Sequence, residues 1–438
     1  MRSRSLQRIA VIVASTFVAA SAHAQVRGTI FGPGVRQYPI AVADLKNVGG
    51  SPESARLAAT FSDVLTRDLE LSGFFRLIPR DAHIDDPNTS GRDADNINFD
   101  NWSVIGALGL VKGAIEGGGK SVNVEAALFD VSRRNRLMGR SYRGGLDDIR
   151  FMAHRFADDV LREFTGERGP FNSRIVFLSR RGGRFKDVYI MSVDGGDVRR
   201  LTSADTLNLS PTWSPDDNSV VLTSYRGGNP DLYSIALDGG NWTRLSTLRG
   251  LNLGGRWSPD GNRLAVTIEY DGNTEIALLR PDGSLAQRLT DHWAIDVSPS
   301  WSPDGRQIAF CSSRTGSPQI HIVDAAGGAP RRVTFEGSYN TSPSWSPKGD
   351  RLAYTSRIGG RFQVFTVKTD GSDTVQITAS AGDNEDPSWS PDGRYLVFSS
   401  SRSGAPRLYL SDRTGTTQLE LTGGKGDDTS PSWSRWRD

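Results

Sequence analysis

Apolar and polar positions follow one recurring pattern through the C-terminal three-fifths of the chain. In the copy that starts at Trp345, Gly, Pro and Asp turns separate four short apolar or β-branched segments, which cover residues 351–356, 362–367, 375–378 and 387–389. Residues 362–367 alternate between apolar and polar positions, as half-buried strands do, and no copy has the periodicity of an amphipathic helix. Each copy therefore predicts one four-stranded antiparallel sheet.

The copies keep one register along the chain. A Trp recurs every 44 residues, and a Thr or Ser stands eleven residues before each Trp. The Trp positions are 213, 257, 301, 345, 389 and 433, and the Thr or Ser positions are 202, 246, 290, 334, 378 and 422. A period in the forties indicates repeated supersecondary units, and six four-stranded sheets around one axis make a six-bladed β-propeller of WD40-like repeats.

The two ends of the repeat array predict how the ring closes. The first copy begins near Arg174 without a preceding Trp segment, whereas the chain finishes with a spare Trp segment around Trp433. We therefore expect the last strand to pair with the first blade. If the Trp strand is the innermost strand of each blade, its six copies line the central channel.

A different pattern precedes the repeats. Ser51, Pro52 and Glu53 are residue types of a helix start, and apolar positions then recur at helical spacing until Gly73. Further elements are a second helix over residues 146–164, strands over 38–42, 74–78, 110–115, 122–131 and 137–142, a hairpin turn at 117–119 and a polar loop over 81–100. The predicted fold is mostly β, with a small α/β domain at 38–168, a linker at 169–173 and a six-bladed β-propeller at 174–438.

The first 24 residues predict an export signal. Three Arg precede an apolar core over residues 9–20, and Ala22-His23-Ala24 fits a cleavage site before Gln25. The core is too short to span a bilayer, so we expect cleavage after Ala24 and a periplasmic protein. Residues 25–37 then form an N-terminal tail. On its residues alone, this tail is either a frayed first strand or a segment that docks to a partner.

Composition and motifs narrow the function class. When the three Arg of the signal are removed, 49 of the 52 basic residues remain against 50 acidic residues, and no basic run marks a nucleic-acid surface. The single Cys311 lies in an apolar strand segment, where we expect a buried thiol. No Gly-x-Ser-x-Gly elbow occurs, and no His has zinc-site spacing to another His or to the Cys. We therefore expect no enzyme; the alternative is an enzyme, or a carbohydrate- or peptide-binding protein, with its site in the central channel.

One periodic feature has two interpretations. Asn or Asp stands five residues before each Trp, at Asn208, Asn252, Asp296, Asn340, Asn384 and Asp428. Such side chains start turns by bonding to their own backbone, or they form a ring of carboxamides and carboxylates at one channel mouth. A ring of this kind would hold water, an incoming polypeptide, or a cation such as calcium with Asp296 and Asp428 as ligands. No other cofactor is expected.

Taken together, these features resemble the TolB family of the Tol–Pal system of Gram-negative bacteria. The resemblance rests on the export signal, the α/β domain with Ser51-Pro52-Glu53, and six repeats around Pro-x-Trp-Ser-Pro-Asp-Gly. It implies a monomer without catalysis that binds the lipoprotein Pal at a propeller mouth, and so reaches the outer membrane peripherally. It also implies roles in cell division, outer-membrane integrity and bacteriocin import, and contacts with other envelope proteins. The tail would bind TolA through Val26, Arg27, Thr29, Ile30 and Phe31.

The family's Pal contacts correspond to residues just ahead of the Trp strands. In this sequence they are His292, Ile295, Asp296, Val297, Ser298, Tyr339, Asn340, Thr341, Ser342, Leu251, Asn252, Asp383, Asn384 and Glu385, with Asp428 added from the Asn/Asp ring. The sequence departs from the repeat motif at Asp217, Lys348 and Arg435, which we expect to alter turns. It also departs at Gly254-Gly255-Arg256, which we expect to alter a position at the mouth.

Overall fold

The computed structural model describes residues 36–181, 183–203, 206–246, 248–424 and 426–437. The predicted export signal, its cleavage site and the tail positions Val26, Arg27, Thr29, Ile30 and Phe31 lie outside these residues. No helix in the described part of the chain is both long enough and apolar enough to cross a membrane.

The helices of the N-terminal part begin and end at residues suited to those positions. They are α1 (Pro52–Leu71), α2 (Phe99–Val104) and α3 (Ile149–Thr165). The hydroxyl of Ser51 accepts the backbone N–H of Ser54 at 3.0 Å and so caps α1. Helix α3 ends at Gly166, whose φ of 77° is a left-handed conformation that glycine adopts without steric cost. Both long helices were therefore correctly predicted.

The helices α1 and α3 pack on one face of a mixed sheet. Its strands are β1 (Tyr38–Val42), β2 (Lys46–Asn47), β3 (Phe75–Leu77), β4 (Gly109–Gly118), β5 (Ser121–Asp130) and β6 (Asn135–Gly145). The strand order is β3-β1-β4-β5-β6, with β1 parallel to both neighbours and the last three strands antiparallel. The predicted turn at 117–119 is misplaced, because Gly117 and Gly118 still pair with β5 and the turn is made by Gly119 and Lys120.

The segment predicted as a loop over 81–100 is partly wrong, because it leads into α2 and covers the second face of the sheet. Its anchor is the Asp85 carboxylate, which accepts hydrogen bonds from the indole N–H of Trp102 at 3.0 Å and from Lys112 at 3.3 Å. Asp85 and Lys112 are both buried, so their charges are matched inside the domain. This polar segment is thus anchored by one buried ion pair. The periodicity of apolar residues, on which the loop prediction rested, gives no sign of such a pair.

Within the described residues, six four-stranded sheets form the C-terminal part, as predicted for a six-bladed propeller. We number the blades 1 to 6 in chain order. Blades 1 and 2 contain β7 (Arg174–Ser179), β8 (Asp187–Ser192) and β9 (Arg199–Arg200), and then β10 (Asn208–Trp213), β11 (Ser219–Ser224), β12 (Asp231–Ala236) and β13 (Trp242–Arg244). Blades 3 and 4 contain β14 (Asn252–Trp257), β15 (Leu264–Tyr270), β16 (Asn273–Leu279) and β17 (Leu285–Arg288), and then β18 (Asp296–Trp301), β19 (Gln307–Ser312), β20 (Gln319–Asp324) and β21 (Arg331–Arg332). Blades 5 and 6 contain β22 (Asn340–Trp345), β23 (Arg351–Ile358), β24 (Arg361–Lys368) and β25 (Val375–Gln376), and then β26 (Asn384–Trp389), β27 (Tyr395–Ser400), β28 (Arg407–Asp412) and β29 (Gln418–Glu420), and the last strand of the chain is β30 (Thr429–Trp433).

The ring closes as the sequence predicts. Strand β30 pairs antiparallel with β7 and completes blade 1, so that every blade has a Trp strand as its first strand. The indole N–H of Trp213 donates to the carbonyl of Ser432 at 3.0 Å, which joins blade 2 to the closing strand. The indole of Trp433 donates to the hydroxyl of Ser173 at 2.7 Å. The first and last parts of the propeller are thereby held together without a covalent bond.

The α/β domain packs against one end of the propeller, the end where the Trp-Ser-Pro turns lie. Glu167 after α3 binds Lys348 and Arg394 at 3.0 Å each, and both bases lie at such turns. The hydroxyl of Tyr395 donates to the carbonyl of Ser72 at 2.9 Å, and one apolar core runs from the α/β helices into blades 1 and 6. We call this the turn end of the propeller; the opposite end remains open to solvent.

Candidate functional site

The inner strand of every blade has an irregularity three residues before its Trp. The residues there have positive φ angles: Ser210 48°, Gly254 63°, Ser298 59°, Ser342 50°, Asp386 54° and Ser430 50°. The pairing register shifts at the same place in all six inner strands, which identifies a β-bulge. A bulge turns a side chain away from the sheet, and here it directs these residues to the propeller axis.

The bulge residues and the prolines after them line a central cavity of about 90 Å³. The innermost strands are therefore the Trp strands, as expected. Among the described lining residues, Arg256 and Asp386 carry charges. The Asp386 carboxylate accepts hydrogen bonds from the hydroxyls of Ser342 and Ser430, at 3.0 and 3.1 Å. The channel wall is thus a ring of hydroxyls and prolines with one basic and one acidic side chain.

The Asn/Asp ring does not open onto the channel mouth, so that interpretation of the sequence is wrong. The six side chains, Asn208, Asn252, Asp296, Asn340, Asn384 and Asp428, are all 0 % exposed. The Asn340 amide donates to the side-chain oxygen of Gln319 at 2.8 Å and to the carbonyl of Glu336 at 2.7 Å. Gln319 in turn accepts the hydroxyl of Thr334, the Thr that stands eleven residues before the Trp. Both periodic positions therefore belong to one buried polar network, which joins the outer part of blade 4 to the inner strand of blade 5.

The two ring carboxylates proposed as calcium ligands already have cationic partners. Asp296 binds Arg314 at 2.7 Å, and Asp428 binds Arg181 at 3.2 Å. Both carboxylates are buried, and each guanidinium supplies the compensating charge that a metal would otherwise provide. In the described part of the chain, no group of three or more His, Cys, Asp or Glu side chains is arranged to hold a metal ion. The candidate metal role of Asp296 and Asp428 is therefore a wrong assignment.

Most of the remaining predicted contact residues lie at the open end, where each inner strand begins. Ile295 and Tyr339 are exposed there. Leu251, His292, Val297, Thr341, Asp383 and Glu385 are partly buried there. Ser298 and Ser342, also predicted as contacts, are the bulge residues that line the central cavity further along the channel. The N–H of Arg357 donates to the carbonyl of Tyr339 at 2.9 Å, so the tip between the second and third strands lies beside the loop that enters the inner strand. These loops and tips together form what we call the open mouth.

One sector of the open mouth is apolar. Its exposed side chains come from loops and tips of blades 2 to 5: Leu207, Tyr270, Trp293, Ile295, Tyr339 and Ile358. Trp293 is 77 % exposed, although large aromatic side chains are mostly buried in folded proteins. Trp293 was not predicted as a contact residue, because an aromatic residue in a turn segment contributes nothing to strand periodicity. Phe335 is also exposed, but its ring lies beside Gly371 in the turn that follows β24 and so outside this sector.

The other sector, on blades 6 and 1, is charged. Arg180 binds Asp427, and the Lys186 ammonium donates to the hydroxyl of Thr429 at 2.9 Å. Burial raises the pKa of Glu385 to about 7, aided by the neighbouring carboxylates of Asp386 and Asp383. The open mouth therefore offers an apolar surface on one side and titratable charges on the other.

At the turn end, the departures from the repeat motif make specific contacts. The Arg435 guanidinium donates to the carbonyls of Pro215 and Pro259 at 3.1 and 3.0 Å, and so bridges the turns of blades 2 and 3. Lys348 forms the ion pair with Glu167 described above. These residues therefore stabilise the turn end, by joining two turns to the last strand and one turn to the α/β domain.

Comparison with known proteins gives two family matches. Residues 161–437 match the TolB beta propeller domain, and residues 27–137 match the TolB amino-terminal domain. A Tol-Pal system protein TolB from Syntrophotalea carbinolica is 40% identical over 216 residues, which is 49% of this chain and 50% of that protein. The protein of the same name from Geobacter sulfurreducens is 41% identical over 212 residues, 48% of each chain. The alignments thus span about half the length of these curated relatives.

One solved structure matches over nearly the whole chain. The crystal structure of TolB from Acinetobacter baumannii superimposes with a TM-score of 0.79 and covers 92% of this chain and 98% of its own. Its sequence identity is 24%, so this likeness speaks for the fold.

Proposed function

The chain belongs to the TolB family, and we propose that it is a non-enzymatic, periplasmic protein-binding scaffold of the Tol–Pal system. It binds the lipoprotein Pal at the open mouth and, as a monomer, is held at the outer membrane peripherally through that contact. Its tail, at Val26 to Phe31, binds TolA. Through these contacts it serves outer-membrane invagination during cell division, envelope integrity and the import of bacteriocins.

The apolar sector of the open mouth is the observation that carries this proposal. Contiguous exposed apolar side chains on a folded protein mark interaction sites, and aromatic residues dominate the binding energy of protein interfaces. Trp293 and Tyr339 are such residues, and the neighbouring charged sector supplies the polar rim. The α/β domain contacts turns of blades 5 and 6 at the turn end, on the side away from this surface.

The cavity size supports a scaffold over the alternative of a small-molecule enzyme or binding protein. The central cavity measures about 90 Å³. Typical small-molecule sites enclose roughly 300–1,000 Å³. A sugar or peptide substrate would therefore find too little room in the channel.

The test is calorimetric titration of residues 25–438 with the periplasmic domain of Pal from the same organism. We expect Trp293→Ala and Tyr339→Ala each to weaken binding roughly 10- to 100-fold, since both would act as anchors in a desolvated interface. The matched control is Val104→Ala, an equally exposed apolar residue on the α/β domain, which should bind as the wild type does. Tight binding that both mouth variants retain would move the site elsewhere, and no wild-type binding would overturn the scaffold function.

A further inference from the structure

Two opposite charges face each other across the central cavity. Arg256 lies on β14 of blade 3 and Asp386 on β26 of blade 6, and both line the same cavity. Three blades separate them in a ring of six, so they stand on opposite walls. The other described lining residues are serine, proline and glycine.

Arg256 replaces a small hydroxyl residue. Five inner strands have Ser or Thr directly before the Trp: Thr212, Ser300, Ser344, Ser388 and Ser432. In two of them this hydroxyl accepts the backbone N–H of the next blade's Trp, from Trp345 to Ser300 and from Trp433 to Ser388, at 3.0 Å each. A guanidinium has no acceptor and cannot serve this structural purpose. Blade 3 therefore has a cation at the position where two of the other blades have a blade-to-blade hydrogen bond.

The same blade also leaves space beside that cation. At the bulge position, where four other blades have serine and one has aspartate, blade 3 has Gly254. A Cβ placed on Gly254 would find no atom within 4 Å, so the wall is open there. The positive φ of 63° is one that glycine adopts readily.

The Arg256 guanidinium makes no hydrogen bond to any other described residue, although it has five N–H donors. Burial lowers the pKa of Arg256, and Asp386 is the one charge opposing that effect. Asp386 is itself occupied, because Ser342 and Ser430 donate to its two oxygens. The channel thus contains a planar guanidinium group whose N–H donors have no partner among the described residues and lie next to open space.

We propose that the channel binds a single carboxylate at Arg256. The fork of N–H donors on a guanidinium matches the two oxygens of a carboxylate in geometry and charge. A cavity of about 90 Å³ accepts a group of the size of acetate. Asp386 on the opposite wall keeps the empty channel neutral and repels anions of higher charge. The carboxylate comes either from a free small acid or from an acidic side chain that a docked protein inserts through the open mouth.

The site is tested on the exported protein with sodium acetate at constant ionic strength, by saturation-transfer NMR on the acetate methyl protons. Arg256→Ser restores the residue type of the other blades, and we expect it to lower the acetate affinity at least tenfold. Asp386→Ser also restores the common residue and should raise the affinity severalfold, because it removes the repelling charge. Arg306→Ser, an exposed turn residue, is the matched charge control and should leave the affinity unchanged.

Wild-type transfer that Arg256→Ser leaves unchanged, or no transfer at all, would overturn the proposal. If Arg256→Ser does not fold, Asp386→Ser decides, and an affinity that does not rise would count against the site. A second arm identifies the source of the carboxylate, with Pal as the docked protein. Acetate displaced by Pal, together with weaker Pal binding by Arg256→Ser, assigns it to the partner; acetate retained in the complex assigns it to a free acid, and both results support the site.

Discussion

His154 on α3 and Asp68 on α1 are joined by a buried contact of 2.7 Å between Nδ1 and Oδ2. A second carboxylate, Asp194 from the turn after β8 in blade 1, lies 4.0 Å from the other ring nitrogen. Arg150 on α3 binds both Asp194 and Asp197. A cluster of charges thus crosses the boundary between the α/β domain and the propeller.

This cluster predicts a stability that falls as pH rises. Burial lowers the pKa of His154, but the Asp68 carboxylate and its hydrogen bond outweigh burial, so the pKa lies above its usual value. Burial raises the pKa of Asp68 to about 6. Both groups therefore bind protons more tightly in the folded chain, and their stabilisation is complete at low pH and lost as pH rises through the folded pKa values.

The free energy of unfolding in urea is measured at pH 5.5, 7 and 8.5 for the wild type and for the double variant Asp68→Asn with His154→Gln. This variant keeps side chains of similar shape but has no titratable group at either position. We expect the advantage of the wild type to shrink with each step in pH. Parallel curves for the two proteins would contradict the linkage.

Asp296 is predicted to be a folding residue and not a contact residue. Asp296→Ala would leave Arg314 unpaired beside a buried site, which costs about 3 kcal/mol or more. Asp296→Asn should cost clearly less, because four blades have Asn at this position. Ile295 is one residue away and exposed, so the free energy of unfolding of Ile295→Ala should lie within about 0.5 kcal/mol of the wild-type value. Urea unfolding distinguishes these outcomes, and an Asp296→Ala variant as stable as Ile295→Ala would refute the buried ion pair.

Cys311 is buried, as expected, but it also bridges two blades. Its thiol donates to the carbonyl of Asn340 at 3.3 Å, and burial raises its pKa to about 11. The equivalent residues in blades 2, 3, 5 and 6 carry hydroxyls, whereas blade 1 has Leu178. The hydroxyl of Ser399, for example, donates to the carbonyl of Asp428 at 3.0 Å. We expect Cys311→Thr to be at least as stable as the wild type, and Cys311→Val to be less stable than Cys311→Thr by about 1 kcal/mol. Thermal unfolding of the three proteins measures this, and Val equal to Thr would contradict a bridging role.

Closure by β30 predicts complementation in trans. A chain that ends at residue 427 lacks β30, leaves the edge of β7 unpaired and should lose its cooperative unfolding transition. A peptide of residues 428–437 should restore the transition, whereas the same peptide with Trp433→Ala should not, because this Trp is buried and hydrogen-bonded to Ser173. In the intact chain, Trp433→Ala should cost about 4 kcal/mol. Calorimetric unfolding tests all of these, and a truncated chain that unfolds like the wild type would disprove the closure.

The sequence predicts the fold well because each repeat contains the strand and turn pattern of one complete four-stranded sheet. The 44-residue period determines the number of blades, and the spare Trp segment around Trp433 determines the closure. It predicts the open mouth only in part. Asn340 and its equivalents look alike in the sequence whether they face a channel or a buried boundary between two blades, because Asn serves as readily in a buried network as at a surface.

Other features lack a local signal. Lys112 and Asp85 lie 27 residues apart and pair only once the sheet exists. In the sequence, Arg256 is visible only as a departure from the repeat motif. Its position opposite Asp386 depends on the arrangement of the blades in the ring, which the spacing of residues along one strand does not show. The bulge that aims these residues inward is visible only in backbone angles.

The antiparallel pairing of β7 and β30 also determines how the propeller responds to force. The chain enters the ring at Arg174 and leaves it at Ser434, and these two residues exchange hydrogen bonds of 2.9 Å at the same end of the ladder. Tension between these two residues therefore acts on the hydrogen bonds of the β7–β30 ladder one after another. It does not act in shear on all of these bonds at once. A ring that is securely closed at rest would thus separate at this seam first when both of its ends are pulled.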